Sequence, residues 1–374
     1  MQGNRLPLLQ VMHPAHNEFV SREGARDFLG RFLRSKKTAY LSDASAREAL
    51  GAREVPVGLD PQSKTIVDAI HASGVLPLAQ YTPVSAREAL LKLRAAPLAI
   101  PVFPMWRVTE EPVTGPDGAF KVRILEPRAP QAGQLMPAVI YFHGGGFFAG
   151  GVDETDGIVG QIAKEADVVV FNVDYRLSPE ARFPAAVNDA YAALEWVVAN
   201  AARFKVNSQR IILSGDSAGG NLTIVTCLMA RERGGPKIHY QVPIYPSLDC
   251  HSRPQYPSRL KWGAGGHFLT NDDIEWMLKY YLSSPDQADD WRASPIVAKS
   301  YAGLPPALVV TASHDPLSDE GRLYADRLAK DGVDTEYAPF EGTFHGFVSF
   351  AGLIEVAKRA MALVCERIKQ RGWE

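Results

Sequence analysis

The sequence predicts an α/β protein with a mostly parallel central sheet that helices cover on both faces. From about residue 119, short apolar runs alternate with segments of helical periodicity. Several of these runs are too uniformly apolar to have one face in water, as is usual for strands of a parallel sheet. The 374 residues are 46% hydrophobic and 22% charged, which is the composition of a globular chain with a sizeable core.

The N-terminal region, residues 1–100, is predicted to be helical and interrupted. One helix is expected to begin with Asp60 as its N-cap and Pro61 as its first residue. The hexapeptide SAREAL occurs at 45–50 and again at 85–90, each time with Ser and Glu spaced as in a capping box. We interpret the two copies as separate helix starts and not as a repeat architecture.

The remaining chain, residues 101–374, carries the predicted sheet. The expected strands are 120–127, 136–143, 167–175, 210–217, 238–246, 306–313 and 334–340, and the clearest helical patterns are 185–201, 218–232 and 353–370. Between about 247 and 295 the strand pattern lapses into a polar, aromatic stretch. We interpret that stretch as an insertion.

Charge and cysteine content limit the partners and the compartment. The 40 basic and 42 acidic residues nearly cancel, and no basic run is interleaved with aromatic residues, so nucleic acid and anionic membranes are poor candidates. No apolar run is long enough to span a bilayer, and the first residues do not resemble a secretory signal. The odd number of cysteines, 3, favours free thiols in a reducing cytoplasm.

A serine between glycines follows one of the predicted strands. Ser217 lies in the sequence GDSAG, directly before a helical pattern. A strand that turns abruptly into a helix strains the intervening residue, and glycines two positions away on either side remove Cβ clashes. The pattern therefore predicts a nucleophile elbow. The alternative is close strand–helix packing with an incidental serine.

Consecutive glycines follow another predicted strand, in the stretch YFHGGGFF. Their N–H groups can point at a developing oxyanion without side chains in the way. The rival interpretation is dinucleotide binding, because Gly144, Gly146 and Ala149 match a loose fingerprint. Against it, Phe147 and Phe148 would crowd a pyrophosphate.

A base for the serine has to come from the 9 histidines. His345 follows the last predicted strand and so lies at the same sheet edge as Ser217. His314 is adjacent to Asp315, but chain neighbours do not usually face each other. We therefore expect Asp315 to orient His345, which gives the chain order Ser, Asp, His.

Metal and cofactor chemistry has little support. The sequence has no His-Glu-x-x-His motif and no paired cysteine spacing. The acidic pairs at 272–273 and 289–290 lie in helix-starting or loop contexts, where capping is the ordinary explanation. We expect neither a metal nor a cofactor. An oxidoreductase would need a bound nicotinamide or flavin.

Taken together, these motifs resemble the hormone-sensitive lipase-like esterases, also called bacterial family IV. The matching stretches are HGGGFF, DYRLSPEARFPAA, GDSAGGNL, LPPALVVTASHDPLSDEG and FHGF, in the family's order. The resemblance implies an α/β-hydrolase fold and a serine carboxylesterase acting on a small-molecule ester through Ser217, Asp315 and His345. It also implies oxyanion donors, which are the N–H groups of Gly145, Gly146 and Ala218, with Gly144 the weakest candidate.

The same resemblance implies a cap made of the N-terminal helices and the 247–295 insertion. Such a roof excludes water and limits acyl length, which favours short to medium chains. Phe19, Phe28, Phe32 and Trp262 are expected to line an apolar tunnel under it. The chain departs from the family in its long segment before about residue 55, which alternatively braces the core or a homodimer contact. A further departure is Ser178, where alanine is usual.

A binding protein on the same fold is the remaining alternative from another class. Such a protein is expected to lack part of the triad, whereas all three positions are filled here. Among hydrolases, esters are favoured over amides because an alkoxide leaving group needs less acid assistance. The sequence does not name the ester.

Overall fold

An eight-stranded sheet lies at the centre of the computed structural model, which describes residues 58–94, 100, 102–252 and 254–374. The strands are β1 (Arg107–Gly115), β2 (Gly118–Glu126), β3 (Met136–Phe142), β4 (Val169–Asp174), β5 (Val206–Asp216), β6 (Tyr240–Ile244), β7 (Ala307–His314) and β8 (Thr335–Phe344). They lie in the spatial order β1-β2-β4-β3-β5-β6-β7-β8. The pairings from β4 to β8 are parallel, so the predicted mostly parallel sheet is confirmed.

Burial explains the uniformly apolar strands. Every residue of β3 and every residue of β6 is buried, because both strands lie inside the sheet with helices above and below. The strand β5 lies between them. The carboxyl ends of β5, β7 and β8 therefore meet at one edge of the sheet, which is where polar side chains are expected to converge.

The strand β1 was missed by the sequence analysis. It pairs antiparallel with β2 at the edge of the sheet and is mostly exposed. Its residues include Glu110, Glu111 and Pro112, which look like a loop in the sequence. A proline and charged side chains are tolerated there because one side of an edge strand needs no partner.

Helices cover both faces of the sheet, as predicted. In the described residues they are α1 (Pro61–Ala72), α2 (Pro83–Arg94), α3 (Val152–Ala166), α4 (Ala185–Ala199), α5 (Ala218–Arg233), α6 (Pro257–Trp262), α7 (Asn271–Tyr281), α8 (Ser318–Lys330) and α9 (Glu355–Trp373). The helices α4, α5 and α8 bury their apolar residues in one core, and α1, α3 and α9 bury theirs in a second core. Within the described part of the chain, no helix combines the length and the apolarity needed to cross a membrane.

The two N-terminal helices begin differently from one another. The carboxylate of Asp60 caps α1 as predicted, accepting from the N–H groups of Gln62 and Ser63 at 3.0 and 3.2 Å. The predicted start of α2 at Ser85 is wrong. Thr82 is the cap, since its Oγ1 accepts from Ser85 N–H at 3.3 Å while Ser85 Oγ accepts from Thr82 N–H at 3.0 Å. The copy of SAREAL at 45–50 lies outside the described residues.

The insertion at 247–295 lies between β6 and β7 and carries α6 and α7. Its described residues contain no strand. Leu78 N–H, just before α2, donates to the carboxylate of Asp273 in α7 at 3.1 Å. The N-terminal region and the insertion are thereby in direct contact.

Candidate active site

Ser217 occupies a strained turn between β5 and α5. Its backbone has φ 56° and ψ −116°, a conformation that L residues rarely adopt. A Cβ on Gly219 would lie 1.8 Å from the carbonyl oxygen of Phe142, and one on Gly215 would lie 2.4 Å from that of Gly219. Glycine is therefore required on both sides, and the predicted elbow geometry is present. The backbone is held there because Ser217 N–H donates to the carbonyl of Ile244 at 2.9 Å.

The structure brings the three predicted polar side chains together. The Nε2 of His345 lies 2.9 Å from Ser217 Oγ, and its Nδ1 lies 2.7 Å from Asp315 Oδ2. Asp315 is fully buried, and its second carboxylate oxygen accepts from Leu317 N–H at 2.8 Å. Asp315 follows β7 and His345 follows β8, so adjacent parallel strands place both residues at the edge of the sheet.

His314 takes no part in this chain of hydrogen bonds. Its Nδ1 lies 2.9 Å from Ser313 Oγ, and its ring lies 4.3 Å from that of Trp262. Burial, with His267 and Lys261 nearby, lowers the pKa of His314 to about 4. The expectation that Asp315 faces His345 and not its chain neighbour agrees with this geometry.

The loop at 144–149 after β3, here called the oxyanion loop, contains backbone N–H groups that have no acceptor among the described residues. Among the described residues, neither Gly145 N–H nor Gly146 N–H donates a hydrogen bond within the protein. Ala218 is the first residue of α5, where N–H groups have no partner inside the helix. Gly144 is different, because its N–H already donates to Asp216 Oδ1 at 2.8 Å. Its inclusion among the candidate donors is therefore corrected.

Asp216 is a site residue that the sequence analysis missed. Besides Gly144 N–H, its Oδ1 accepts from the hydroxyl of Tyr141 at 2.9 Å. The carboxylate thereby ties the oxyanion loop to the residue before Ser217. The signal was a charged residue placed shortly after the buried apolar run Ile211, Ile212 and Leu213 of β5.

Tyr245 is a second missed residue. It is buried at the end of β6 with φ 34°, and its ring lies 4.9 Å from that of His345. The ring packs against the imidazole and restricts its orientation. In the sequence, an aromatic residue at a strand end cannot be distinguished from an ordinary core residue.

Side chains of the insertion cover the site. Met277 of α7 lies so close to the oxyanion loop that a Cβ on Gly146 would be 1.9 Å from its Sδ. Trp276 packs edge-on against Phe148 with ring centroids 5.0 Å apart. Gly146 therefore faces a side chain of α7, whereas the dinucleotide interpretation needs open space for a pyrophosphate.

The acidic pairs act as caps or ion-pair partners. Asp273 completes a capping box with Thr270 at the start of α7, as expected. Asp289 accepts from His251 Nε2 at 3.0 Å, and this contact contributes most to raising the pKa of His251. Within the described ranges, no group of three or more His, Cys, Asp or Glu side chains is arranged to hold a metal ion.

Comparison with known families agrees with this geometry. Residues 139–349, more than half of the chain, match a family described by the alpha/beta hydrolase fold. The chain belongs to the α/β-hydrolase family. The predicted resemblance to hormone-sensitive lipase-like carboxylesterases is confirmed as well, and this α/β-hydrolase is a carboxylic ester hydrolase.

Relatives of this α/β-hydrolase are named as esterases. The carboxylesterase NlhH of Mycobacterium tuberculosis is 36% identical over 279 residues, which cover 74% of this chain and 85% of that protein. The ethyl acetate hydrolase of Pseudomonas putida is 34% identical over 70% of this chain and 82% of its own length. The structure of a hyperthermophilic esterase from Pyrobaculum calidifontis superimposes with a TM-score of 0.79 at 38% identity, covering 84% of this chain and 98% of that one.

Proposed function

We propose that this α/β-hydrolase cleaves short- to medium-chain carboxylic esters through an acyl-enzyme intermediate on Ser217. The observation that carries the proposal is the continuous hydrogen-bond chain from Ser217 through His345 to Asp315, with distances of 2.9 and 2.7 Å. Nucleophile, base and orienting carboxylate are thus within direct reach of one another, as general-base activation of a serine requires.

Each side chain has a defined role in the proposed reaction. His345 Nε2 takes the proton of Ser217 as Oγ attacks the ester carbonyl, and it then donates that proton to the leaving alkoxide. Asp315 accepts from His345 Nδ1–H and stabilises the imidazolium that forms. A water molecule, activated by His345, releases the acid from the acyl-enzyme.

The oxyanion of each tetrahedral intermediate is proposed to bind the N–H groups of Gly145, Gly146 and Ala218. These donors are part of the backbone, so they need little reorganisation when charge develops. The strained conformation at Ser217 is typical of a nucleophile elbow, in which the serine hydroxyl projects from the turn. Gly144 is left out because its N–H is bound to Asp216.

Contacts of α7 support the proposed preference for small acyl groups. Met277 of α7 lies against Gly146, and Trp276 packs against Phe148, so apolar side chains of α7 contact the oxyanion loop. A relative named for ethyl acetate hydrolysis is consistent with a short substrate. The N-terminal region, residues 1–100, and the 247–295 insertion are proposed to act together as the cap, and of the N-terminal region the structure describes residues 58–94 and 100. Of the expected tunnel residues, Trp262 is half-buried against His314, while Phe19, Phe28 and Phe32 lie outside the described residues.

The cytoplasmic location and the homodimer remain predictions. The three cysteines are free and buried, which is consistent with the expected reducing cytoplasm. The homodimer is supported only by the length of the N-terminal segment.

The test combines active-site labelling with a substrate series. A fluorophosphonate should modify the protein at one site per chain, and peptide mapping should assign the adduct to the segment containing Ser217. Hydrolysis of p-nitrophenyl esters should be fastest between acetate and octanoate and slow for palmitate. Labelling at another serine would contradict the assigned nucleophile, and a maximum at palmitate would contradict the proposed substrate class.

A further inference from the structure

Arg87, in the second copy of SAREAL, contacts the oxyanion loop from helix α2. Its Nε donates to the carbonyl oxygen of Phe148 at 2.5 Å, and its Nη2 donates to that of Ser178 at 2.6 Å. Glu180 accepts from Nη1 at 2.8 Å and holds the outer edge of the guanidinium. One side chain thus joins α2, the oxyanion loop and the segment that follows β4.

Ser178 provides a second anchor on the same loop. Its N–H and its Oγ both donate to the carbonyl oxygen of Phe147, at 2.9 and 3.1 Å. The side chain is fully buried. The hydroxyl contact depends on the serine that this chain has where the resembled family usually has alanine.

The anchored carbonyls belong to peptide planes whose N–H groups bind Gly145. The planarity of the peptide bond links the Phe147 carbonyl to Phe148 N–H, and the Phe148 carbonyl to Ala149 N–H. These two N–H groups donate to the carbonyl oxygen of Gly145 at 3.2 and 3.0 Å. That carbonyl shares its own plane with Gly146 N–H, so a chain of aligned dipoles leads from the two anchors to a proposed oxyanion donor.

We infer that Arg87 is a positioning residue, which together with Ser178 orients and polarises the Gly146 N–H through this chain. The inference rests on the proposed role of Gly146 as an oxyanion donor. Successive hydrogen bonds strengthen one another, and a cation at the start of the chain increases the effect. The N-terminal region thereby contributes to transition-state stabilisation without contacting the substrate.

The size of the effect follows from what each substitution leaves in place. Removing an oxyanion donor outright lowers kcat by about 10²–10³-fold, so the misaligned donor of Arg87→Ala should cost about 10- to 100-fold. Arg87→Lys should recover part of that loss, because an ammonium keeps the charge but cannot span three acceptors. Ser178→Ala keeps the backbone contact and should cost roughly 2- to 5-fold.

The experiment measures kcat and KM for p-nitrophenyl butyrate together with inhibition by a trifluoromethyl ketone. The serine Oγ adds to the carbonyl carbon of this inhibitor. The product is a hemiketal oxyanion that resembles the transition state of ester hydrolysis. For Arg87→Ala, kcat should fall and the inhibition constant should rise in parallel, while KM changes by less than about threefold. The pH profile of kcat should keep its shape, because His345 and Asp315 are not altered.

Arg231→Ala is the matched control. Arg231 also binds two carbonyl oxygens, those of Ser300 and Ala302 at 2.8 and 3.0 Å, and pairs with Glu232 at 2.7 Å. It lies in the last turn of α5, roughly 20 Å along the helix from Ser217 at 1.5 Å per residue. Its removal should leave kcat and the inhibition constant unchanged.

The outcomes separate the inference from the proposed function. A wild-type protein that hydrolyses no ester, or that is not inhibited by the ketone, would overturn both. An active wild type together with an Arg87→Ala variant whose kcat and inhibition constant stay within about threefold would overturn the positioning role alone. If Arg87→Ala strongly lowers the melting temperature, Arg87→Lys and Ser178→Ala provide the test instead. An unchanged kcat and an unchanged inhibition constant in both of these variants would also overturn the positioning role.

Discussion

The candidate triad and the proposed cap segments meet at the same edge of the sheet but are held there by different means. Ser217 and the residues around it are fixed by the main chain, through strand ends and backbone hydrogen bonds. The cap segments are held chiefly by side chains. Arg87 binds the oxyanion loop, and the buried Arg259 of α6 pairs with the buried Glu320 of α8 at 2.7 Å.

This difference predicts which substitutions abolish the reaction and which only modify it. A residue that is fixed by the main chain cannot shift without rearranging the sheet. Loss of a catalytic side chain at such a position therefore removes a reaction step. A segment held by ion pairs and aromatic contacts has several near-equivalent attachments, so single changes there should alter rate, selectivity or pH stability by smaller amounts. The following variants test that order.

Ser217→Ala should have the largest effect. The triad acts as a unit, so kcat for p-nitrophenyl butyrate should fall by about 10⁴–10⁶-fold. The melting temperature should not fall, because the strained backbone is held by main-chain bonds that alanine retains. Retention of more than about a tenth of the wild-type kcat would show that another group is the nucleophile.

Substitution of the two neighbouring histidines should have unequal effects. His345→Ala removes the base and should lower kcat by about 10⁴-fold, whereas His314→Ala should lower it by less than about tenfold, since His314 contacts Ser313 and Trp262. Both variants lose an imidazole of low exposure, so each serves as the control for the other. The opposite ranking would exclude the Asp315–His345 pairing as the working arrangement.

Gly145→Val should have an intermediate effect. Gly145 has φ 129°, and a Cβ there would lie 2.1 Å from the carbonyl oxygen of Ala149, so the turn must open and displace the donors. The expected loss is about 10²–10³-fold in kcat, or about 2.7–4 kcal/mol of transition-state stabilisation. Gly133→Val is the control, because a Cβ there meets nothing although φ is also positive, at 73°. Equal losses of kcat in both variants would mean that general destabilisation is responsible.

The smallest expected effects are on the stability of the protein at acid pH, through the buried His314 next to Trp262 of the insertion. The pKa of His314 is lowered to about 4, first by burial, and burial also lowers the pKa of the adjacent His267. Between pH 6.5 and 4 the unfolded chain therefore binds protons that the native state does not, so stability should fall as the pH falls through that range. Melting temperatures from pH 7.5 to 4.5 should decrease less for His314→Asn than for the wild type.

His251→Asn gives the opposite comparison. The pKa of His251 is raised, chiefly by its hydrogen bond to Asp289, so its stabilisation is present at low pH and is lost as the pH rises through the native pKa. This variant should be less stable than the wild type at pH 5.5, with a smaller difference at pH 8. If both variants shift the melting curve in the same direction at all pH values, titration is not the cause.

Most of the catalytic geometry was predictable because it depends on local rules. GDSAG directly after an apolar strand requires an elbow, since Gly215 and Gly219 admit no Cβ against β3 and α5. His345 and Asp315 each follow a strand of the same parallel sheet, and parallel strands bring such residues to one edge. The strand β1 and the cap at Thr82 were not predictable, because edge exposure and a reciprocal Ser–Thr contact have weak local signals.

The sequence by itself determined seven of the eight strands, the elbow and the identity of the candidate nucleophile, base and orienting carboxylate, because periodicity and glycine spacing act over a few residues. Only the tertiary structure decided which glycine N–H groups stay free and what holds the loop that carries them. Asp216 occupies the N–H of Gly144, and Arg87 anchors the carbonyl of Phe148 from 61 positions away in the chain. Such contacts join segments that no local pattern relates, so they exist only once the helices and strands have packed.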